Sequence, residues 1–289
     1  MSSRRPRAPL PPARVATVVA MPGPVQPHFL SLSPRVGTFA GRRERERSRP
    51  PLSAKKRETT MERLIQGFDN FRRNMTDDQR EVFTRLASGQ TPHTMFITCA
   101  DSRIMPELIF NAQPGDLFVY RNVGNIVPPY AQHVSGVVAA IEYAVTALKV
   151  QHIVICGHSD CGAMKALQNP SVLKGKPSVE QWLKHADVAR YVVAENRPTM
   201  MGEEGLRYLT EENVVGQLEH MRTLPAVAAA IANGSLRIHG WIYDIAQTEI
   251  TAFDPLEGRF RPLVAGDAHA PDATPHARFS TPLPVANAA

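Results

Sequence analysis

The chain has 289 residues and a formal net charge of +6, from 33 Lys and Arg against 27 Asp and Glu. The excess sits at one end. Residues 1–60 carry 13 basic and 3 acidic residues (+10), and the other 229 carry 20 and 24 (−4), which removes the basis for a nucleic-acid-binding domain. Three cysteines are too few for a disulfide framework and fit a reducing, cytosol-like compartment.

Residues 1–60 hold 10 of the 25 prolines and no acidic residue before Glu44. Such a segment suits an organelle transit peptide, a solvated, disordered arginine-rich run, or an upstream start codon ahead of a true start at Met61; the last, or a dispensable leader, is preferred, with a cytoplasmic location. Val15 to Met21 is too short and too proline-flanked for a secretory signal. The longest apolar segment, Val137 to Leu148, is interrupted by Glu142, so no membrane span is expected.

Leu64, Ile65, Phe68 and Phe71 mark an amphipathic helix over 62–75, and Thr76-Asp77-Asp78 caps a second through about Leu86. This arm would lie on a partner subunit or on its own core. From Thr94 the pattern turns α/β. Strands are expected at 95–98, ending at Cys99, at 117–123 after the turn Gln113-Pro114-Gly115-Asp116, and at 152–156, breaking at Gly157. A mostly apolar helix fills 134–149, another starts near Asp160, and helical patterns fill 178–196 and 203–232. Strands return at 236–245 and 248–253. Alternation of this kind predicts a mostly parallel sheet flanked by helices, with the helical arm ahead of it. The folded body is placed at 61–264 and 265–289 is read as a loose tail.

Cys99, His158 and Cys161 are the candidate metal ligands. In open α/β sheets ligands gather at the carboxyl ends of strands; Cys99 ends one predicted strand, and His158 and Cys161 flank the junction after another. Two thiols and one imidazole make a zinc set with one coordination position open, and an open position implies bound water and hydrolytic or hydration chemistry. The 59-residue separation of Cys99 from His158 is unlike a structural zinc knuckle. Asp101, two residues past Cys99, either closes the site as a fourth ligand or is held off it by the guanidinium fork of Arg103, ready to accept a hydrogen bond from zinc-bound water. Backbone N–H groups at Gly157 and Gly162 would suit an anion, though glycine at a tight turn explains both equally. His133, His152, His185 and His239 are assigned to surface or packing roles.

Cys-x-Asp-x-Arg at 99–103 followed by His-x-x-Cys-Gly at 158–162 resembles the β-class carbonic anhydrases. The resemblance spans about 61–255 and includes QPGDLFVYRNVGNIVPPY (113–130), GVVAAIEYAV (136–145) and ICGHSDCGAMKAL (156–167). It implies Zn²⁺ on Cys99, His158 and Cys161, an Asp101–Arg103 catalytic dyad, and reversible hydration of CO₂ to bicarbonate and a proton by zinc hydroxide oriented by that dyad. Gln90, Phe118, Val123 and Tyr143 match the substrate pocket of the plant-like kind, and no Trp near Cys99 supports the alternative kind with its bicarbonate site. The proton-shuttle histidine of plant enzymes is replaced by Ala147. The resemblance further implies a homodimer or a multiple of dimers, with the pocket shared between subunits. Rival readings are the same zinc site acting on carbonyl sulfide or carbon disulfide, and a zinc-stabilised interaction protein without catalysis.

Overall fold

The computed structural model describes residues 59–131, 135–265 and 272–274. The expectations for the leader, for the rest of the tail and for His133 fall outside those residues.

The strands are β1 (Thr94–Cys99), β2 (Leu117–Asn122), β3 (His152–His158), β4 (Arg237–Asp244), β5 (Glu249–Asp254) and β6 (Arg259–Pro262). They form one six-stranded sheet in the order β2-β1-β3-β4-β5-β6. The four strands from β2 to β4 are parallel, and β5 and β6 add an antiparallel edge. Central strand β1 is buried at all six positions, which is why its sequence runs apolar rather than alternating. The chain leaves β1 for β2 on one side and returns to β3 on the other. At such a reversal open α/β sheets place their ligands, beyond the carboxyl ends of strands such as β1 and β3.

The helices are α1 (Thr60–Asn74), α2 (Asp77–Leu86), α3 (Pro106–Ile109), α4 (Gly136–Thr146), α5 (Gly162–Gln168), α6 (Pro177–Leu183), α7 (Asp187–Asn196), α8 (Gly202–Arg222) and α9 (Pro225–Ala232). The anticipated cap of α2 is a capping box, in which Thr76 accepts from Gln79 N at 3.3 Å and its own N–H donates to Gln79 Oε1 at 3.0 Å. The two long helical patterns of the sequence are each divided. A 3₁₀ turn at Lys184–Ala186 separates α6 from α7, and Pro225, which has no N–H to continue α8, starts α9 instead.

The main core lies where Met95 and Ile97 of β1 and Ile153 and Ile155 of β3 meet Val137 and Ile141 of α4 and Val214 and Leu218 of α8. The opposite face of the same strands carries a smaller aromatic cluster, with Phe96 against Phe110 at 5.2 Å and against Trp241 at 6.2 Å between ring centroids. Helix α1 has no buried residue: Leu64, Ile65 and Phe68 are 65, 63 and 62% exposed.

Residues 272–274 correct part of the loose-tail reading. Pairing of β4 with β5 starts only at Trp241, so the edge of β4 at Ile238 is free. Ala273 N–H donates to Ile238 O at 2.9 Å, and Ile238 N–H donates to Thr274 Oγ1 at 3.1 Å. Ala273 is thereby fully buried.

Candidate active site

Each of the three candidate ligands sits where a strand ends. Cys99 is the last residue of β1, His158 the last of β3, and Cys161 the residue ahead of α5. Gly157, within β3, lets α8 approach closely; a Cβ there would lie 3.0 Å from Val214 Cγ2 and 3.1 Å from Thr210 Cγ2. Asp160 turns the chain from β3 into α5 with φ of 60°, a left-handed conformation that aspartate tolerates better than most residues.

Cys99, His158 and Cys161 are all buried and their ligand atoms lie within 4.8 Å of one another. The two sulfurs are 4.0 Å apart. His158 Nδ1 is 2.8 Å from the carbonyl oxygen of Ser159, which accepts its proton and leaves the lone pair on Nε2. That Nε2 is buried and has no hydrogen-bond partner among the described residues. A fully buried, partnerless imidazole nitrogen facing two thiols fits a soft divalent cation, Zn²⁺ in particular. The hydrogen bond between the two sulfurs holds the Cys99 thiol below its ordinary range, while the same bond and burial push Cys161 up.

Asp101 lies just beyond the ligands, its Oδ2 4.0 Å from His158 Nε2. Arg103 takes it as a fork, Nε to Oδ1 at 2.9 Å and one Nη to Oδ2 at 2.8 Å, and the Arg103 backbone N–H adds 3.0 Å to Oδ1. This holds the Asp101 carboxyl well below the usual carboxylate range. Arg121 reaches from β2 to the carbonyls of Asp101 (2.6 Å) and Cys99 (3.3 Å), fixing the loop between them.

The carbonic anhydrase family model matches residues 94–250. "Carbonic anhydrase 1" of Escherichia coli O157:H7 is 46% identical over 205 residues, which are 71% of this chain and 93% of that protein. The solved structure of the β-carbonic anhydrase CcaA is 42% identical, with a TM-score of 0.69 over 71% of this chain and 100% of its own. The chain belongs to the β-class carbonic anhydrases. One of two tetrameric β-carbonic anhydrases from Sordaria macrospora is similar at 32% identity and a TM-score of 0.61, over 67% of this chain and 96% of its own.

Within this carbonic anhydrase the sequence-predicted pocket residues are less gathered than the ligands. Phe118 and Tyr143 face each other with ring centroids 6.1 Å apart. Val123 and Tyr143 are 42 and 50% exposed, and Gln90 is exposed on the loop between α2 and β1. Gly162 meets nothing within 4 Å of a built Cβ, so within the protomer neither a close neighbour nor a positive φ requires glycine there. A cavity of about 620 Å³ lies elsewhere, lined by residues such as Asp160, Arg207, Glu211, Asp244 and Phe260; none of Cys99, Asp101, His158 or Cys161 borders it. His152 and His239, assigned to packing, pair with each other at 3.0 Å.

Several residues around the site carry no motif signal. Trp182 Nε1–H donates to Val123 O at 2.8 Å. Asn122 brackets Ile126, accepting its N–H at 2.8 Å and donating to its carbonyl at 2.9 Å. Asn213 and Gln217 of α8 bind Gly124 O and Val127 N–H at 3.1 and 2.8 Å. The one available clue was two amides four residues apart on the apolar face of α8.

Proposed function

We propose that this enzyme interconverts CO₂ and bicarbonate at Cys99, His158 and Cys161, with Asp101 and Arg103 as its catalytic dyad and the plant-like pocket. The observation that carries the reading is the partnerless, buried His158 Nε2 beside two thiols, with a forked carboxylate 4.0 Å away. Zn²⁺ in such a site acts as a Lewis acid that brings the pKa of water towards neutrality. Cys99 and Cys161 would hold the ion as thiolates and His158 would hold it through Nε2, with Ser159 O keeping the ring in the required tautomer.

Asp101 accepts a hydrogen bond from the attacking oxygen and aims its lone pair at carbon. Arg103 neutralises Asp101 and occupies both of its oxygens, which keeps the carboxylate from serving as a fourth ligand. That fork disfavours a closed, purely structural zinc site. CO₂ is apolar and needs no charged group. Phe118, Val123 and Tyr143 supply its wall, Gln90 binds an oxygen through its amide, and the backbone at Gly162 faces the product anion. With Ala147 in place of a shuttle histidine, the proton passes to buffer, to Tyr143 or to another group.

A homodimer or a multiple of dimers completes the pocket, since Gln90, Val123, Tyr143 and the apolar face of α1 are exposed in the protomer; the similar Sordaria macrospora enzyme is described as tetrameric. Residues 61–264 form the catalytic domain, and the enzyme works in the cytoplasm. Among the described residues no helix is long and apolar enough to cross a membrane.

Stopped-flow CO₂ hydration by zinc-loaded protein tests the reading. Asp101→Asn should retain about one zinc per chain yet lose roughly 10²- to 10⁴-fold in rate, the usual worth of a positioned proton acceptor. Cys99→Ser should lose the metal and the activity together. No hydration by folded, zinc-loaded oligomer would overturn the proposal and direct the search to the sulfur analogues of CO₂.

A further inference from the structure

We propose that Asp160 is a positioning residue for the reaction, clamping Arg103 from the side opposite Asp101 and so fixing the catalytic carboxylate. The inference rests on the carbonic anhydrase reading above.

Arg103 is the hinge of the geometry. Its guanidinium has five N–H donors in a rigid plane. Nε and one Nη face Asp101, at 2.9 and 2.8 Å. The other Nη donates to Asp160 Oδ2 at 2.9 Å, and the Nη shared with Asp101 also reaches the backbone carbonyl of Asp160 at 3.3 Å. Every nitrogen of the plane is therefore engaged, on two residues 59 positions apart in the chain. Rotation about Nε–Cζ must break the contacts to Asp160 as well as the Nη bond to Asp101 Oδ2, and a tilt of the plane strains the whole fork.

Asp160 is itself fixed from both ends. Lys165, one turn into α5, pairs with its other carboxylate oxygen, Oδ1. Its backbone lies at φ 60° on the turn between two ligands, His158 and Cys161. The clamp thus ties the dyad, which is carried on the loop after β1, to the turn after β3 that carries two of the three ligands. It adds a side-chain bridge to the sheet pairing and to the Cys99–Cys161 contact that otherwise connect the two loops.

The ordinary alternative is a surface ion pair, since the two side chains are 44 and 52% exposed. An exposed pair shifts an equilibrium by only about 1.4- to 5-fold, and that is the size of effect expected here. What distinguishes a clamp from a surface pair is its action on the orientation of Arg103.

The experiment uses the full chain labelled with ¹⁵N-arginine, zinc-free and zinc-loaded, with the Arg103 signals identified by their loss in Arg103→Lys. Wild type should show separate Nη–H resonances for Arg103, reporting hindered rotation about Nε–Cζ. Asp160→Asn accepts the same backbone conformation but lacks the charge. It should speed exchange between those Nη resonances, with the Asp101 bond still in place, retain the Nε–H signal that Asp101 holds, keep its zinc content, and lower hydration kcat/KM by about 1.4- to 5-fold. Asp160→Gly, free to take a positive φ, replaces the asparagine variant if that one folds poorly. Unchanged Arg103 resonances overturn the proposal whatever the rate does, and so does unchanged hydration with freed rotation. Absence of hydration in wild type would sink the carbonic anhydrase reading instead, while the guanidinium spectrum would still report whether Asp160 holds Arg103.

Discussion

Gln217→Leu probes how the loop bearing Val123 is held. Gln217 is 1% exposed on α8 and uses both ends of its amide. Its Oε1 accepts Val127 N–H at 2.8 Å, and its Nε2 donates to Asn213 Oδ1 at 3.1 Å and to His185 O at 3.2 Å. Asn213 in turn donates to Gly124 O at 3.1 Å, so two amides of one helix grip the loop at 124 and 127. Leucine has similar volume and replaces none of these bonds. It strands the buried Val127 N–H and Asn213 Oδ1, at about 1–3 kcal/mol each. The added apolar burial returns about 1 kcal/mol, leaving a net loss of roughly 1–5 kcal/mol. In a domain of this size each kcal/mol moves the Tm by about 2–4 °C. Urea unfolding at fixed protomer concentration measures it, with the m-value unchanged. Glu219→Gln, on the solvent side of the same helix and paired with Arg222, should stay within about 0.5 kcal/mol. A Gln217→Leu loss no larger than that control would refute the reasoning.

His158→Ala should bind no zinc and hydrate no CO₂, and chelation of the wild type should do the same reversibly; metal content by atomic absorption checks both. Phe68→Asp, which places a charge in the centre of the exposed apolar face of α1, should shift the oligomer towards monomer by analytical ultracentrifugation and reduce hydration per chain with it. Burial holds His152 and His220 below the ordinary histidine range, with His239 adding to the effect at His152. The unfolded chain therefore binds more protons than the native one below about pH 6.5, so stability is complete above that pH and is lost as pH falls further. The urea midpoint should drop between pH 7 and 5.5, and His220→Gln, which can still donate to Val127 O, should flatten that drop; a midpoint rising on acidification would contradict the sign.

The candidate ligand set and the strands that carry it were legible because their signals are local. β1 and β3 read as short apolar runs, Cys99 and His158 end them, and Cys161 follows on the turn into α5, where a parallel sheet places its chemistry. The break between α8 and α9 was hidden by apolar periodicity that continues through Pro225. β6 was missed because RFRP holds one apolar residue; it is a strand because Phe260 pairs with Phe253. The docking of Ala273 on Ile238 depends on where β5 stops covering β4, which no local pattern records. Asp160 was invisible for a similar reason: its partner Arg103 is 57 residues away, and only the sheet brings them together.

The site divides into a part completed by the protomer and a part left open. The ligands are buried to 6% exposure or less, and Asp101 is locked by a fork whose guanidinium is gripped again from the far side. The proposed CO₂ wall has no such support, with Val123 and Tyr143 both more than 40% exposed and Gln90 in solvent. Electrostatic machinery must be rigid before the reaction, because reorganising charges during it would forfeit their effect. An apolar wall has no such requirement; it needs only to exclude water when substrate arrives. In the proposed assembly the metal and its carboxylate are therefore preorganised by folding, while the substrate wall is completed by association. Weakening the subunit contact should then lower hydration before it lowers zinc content, an order of loss that a site assembled wholly within one chain would not show.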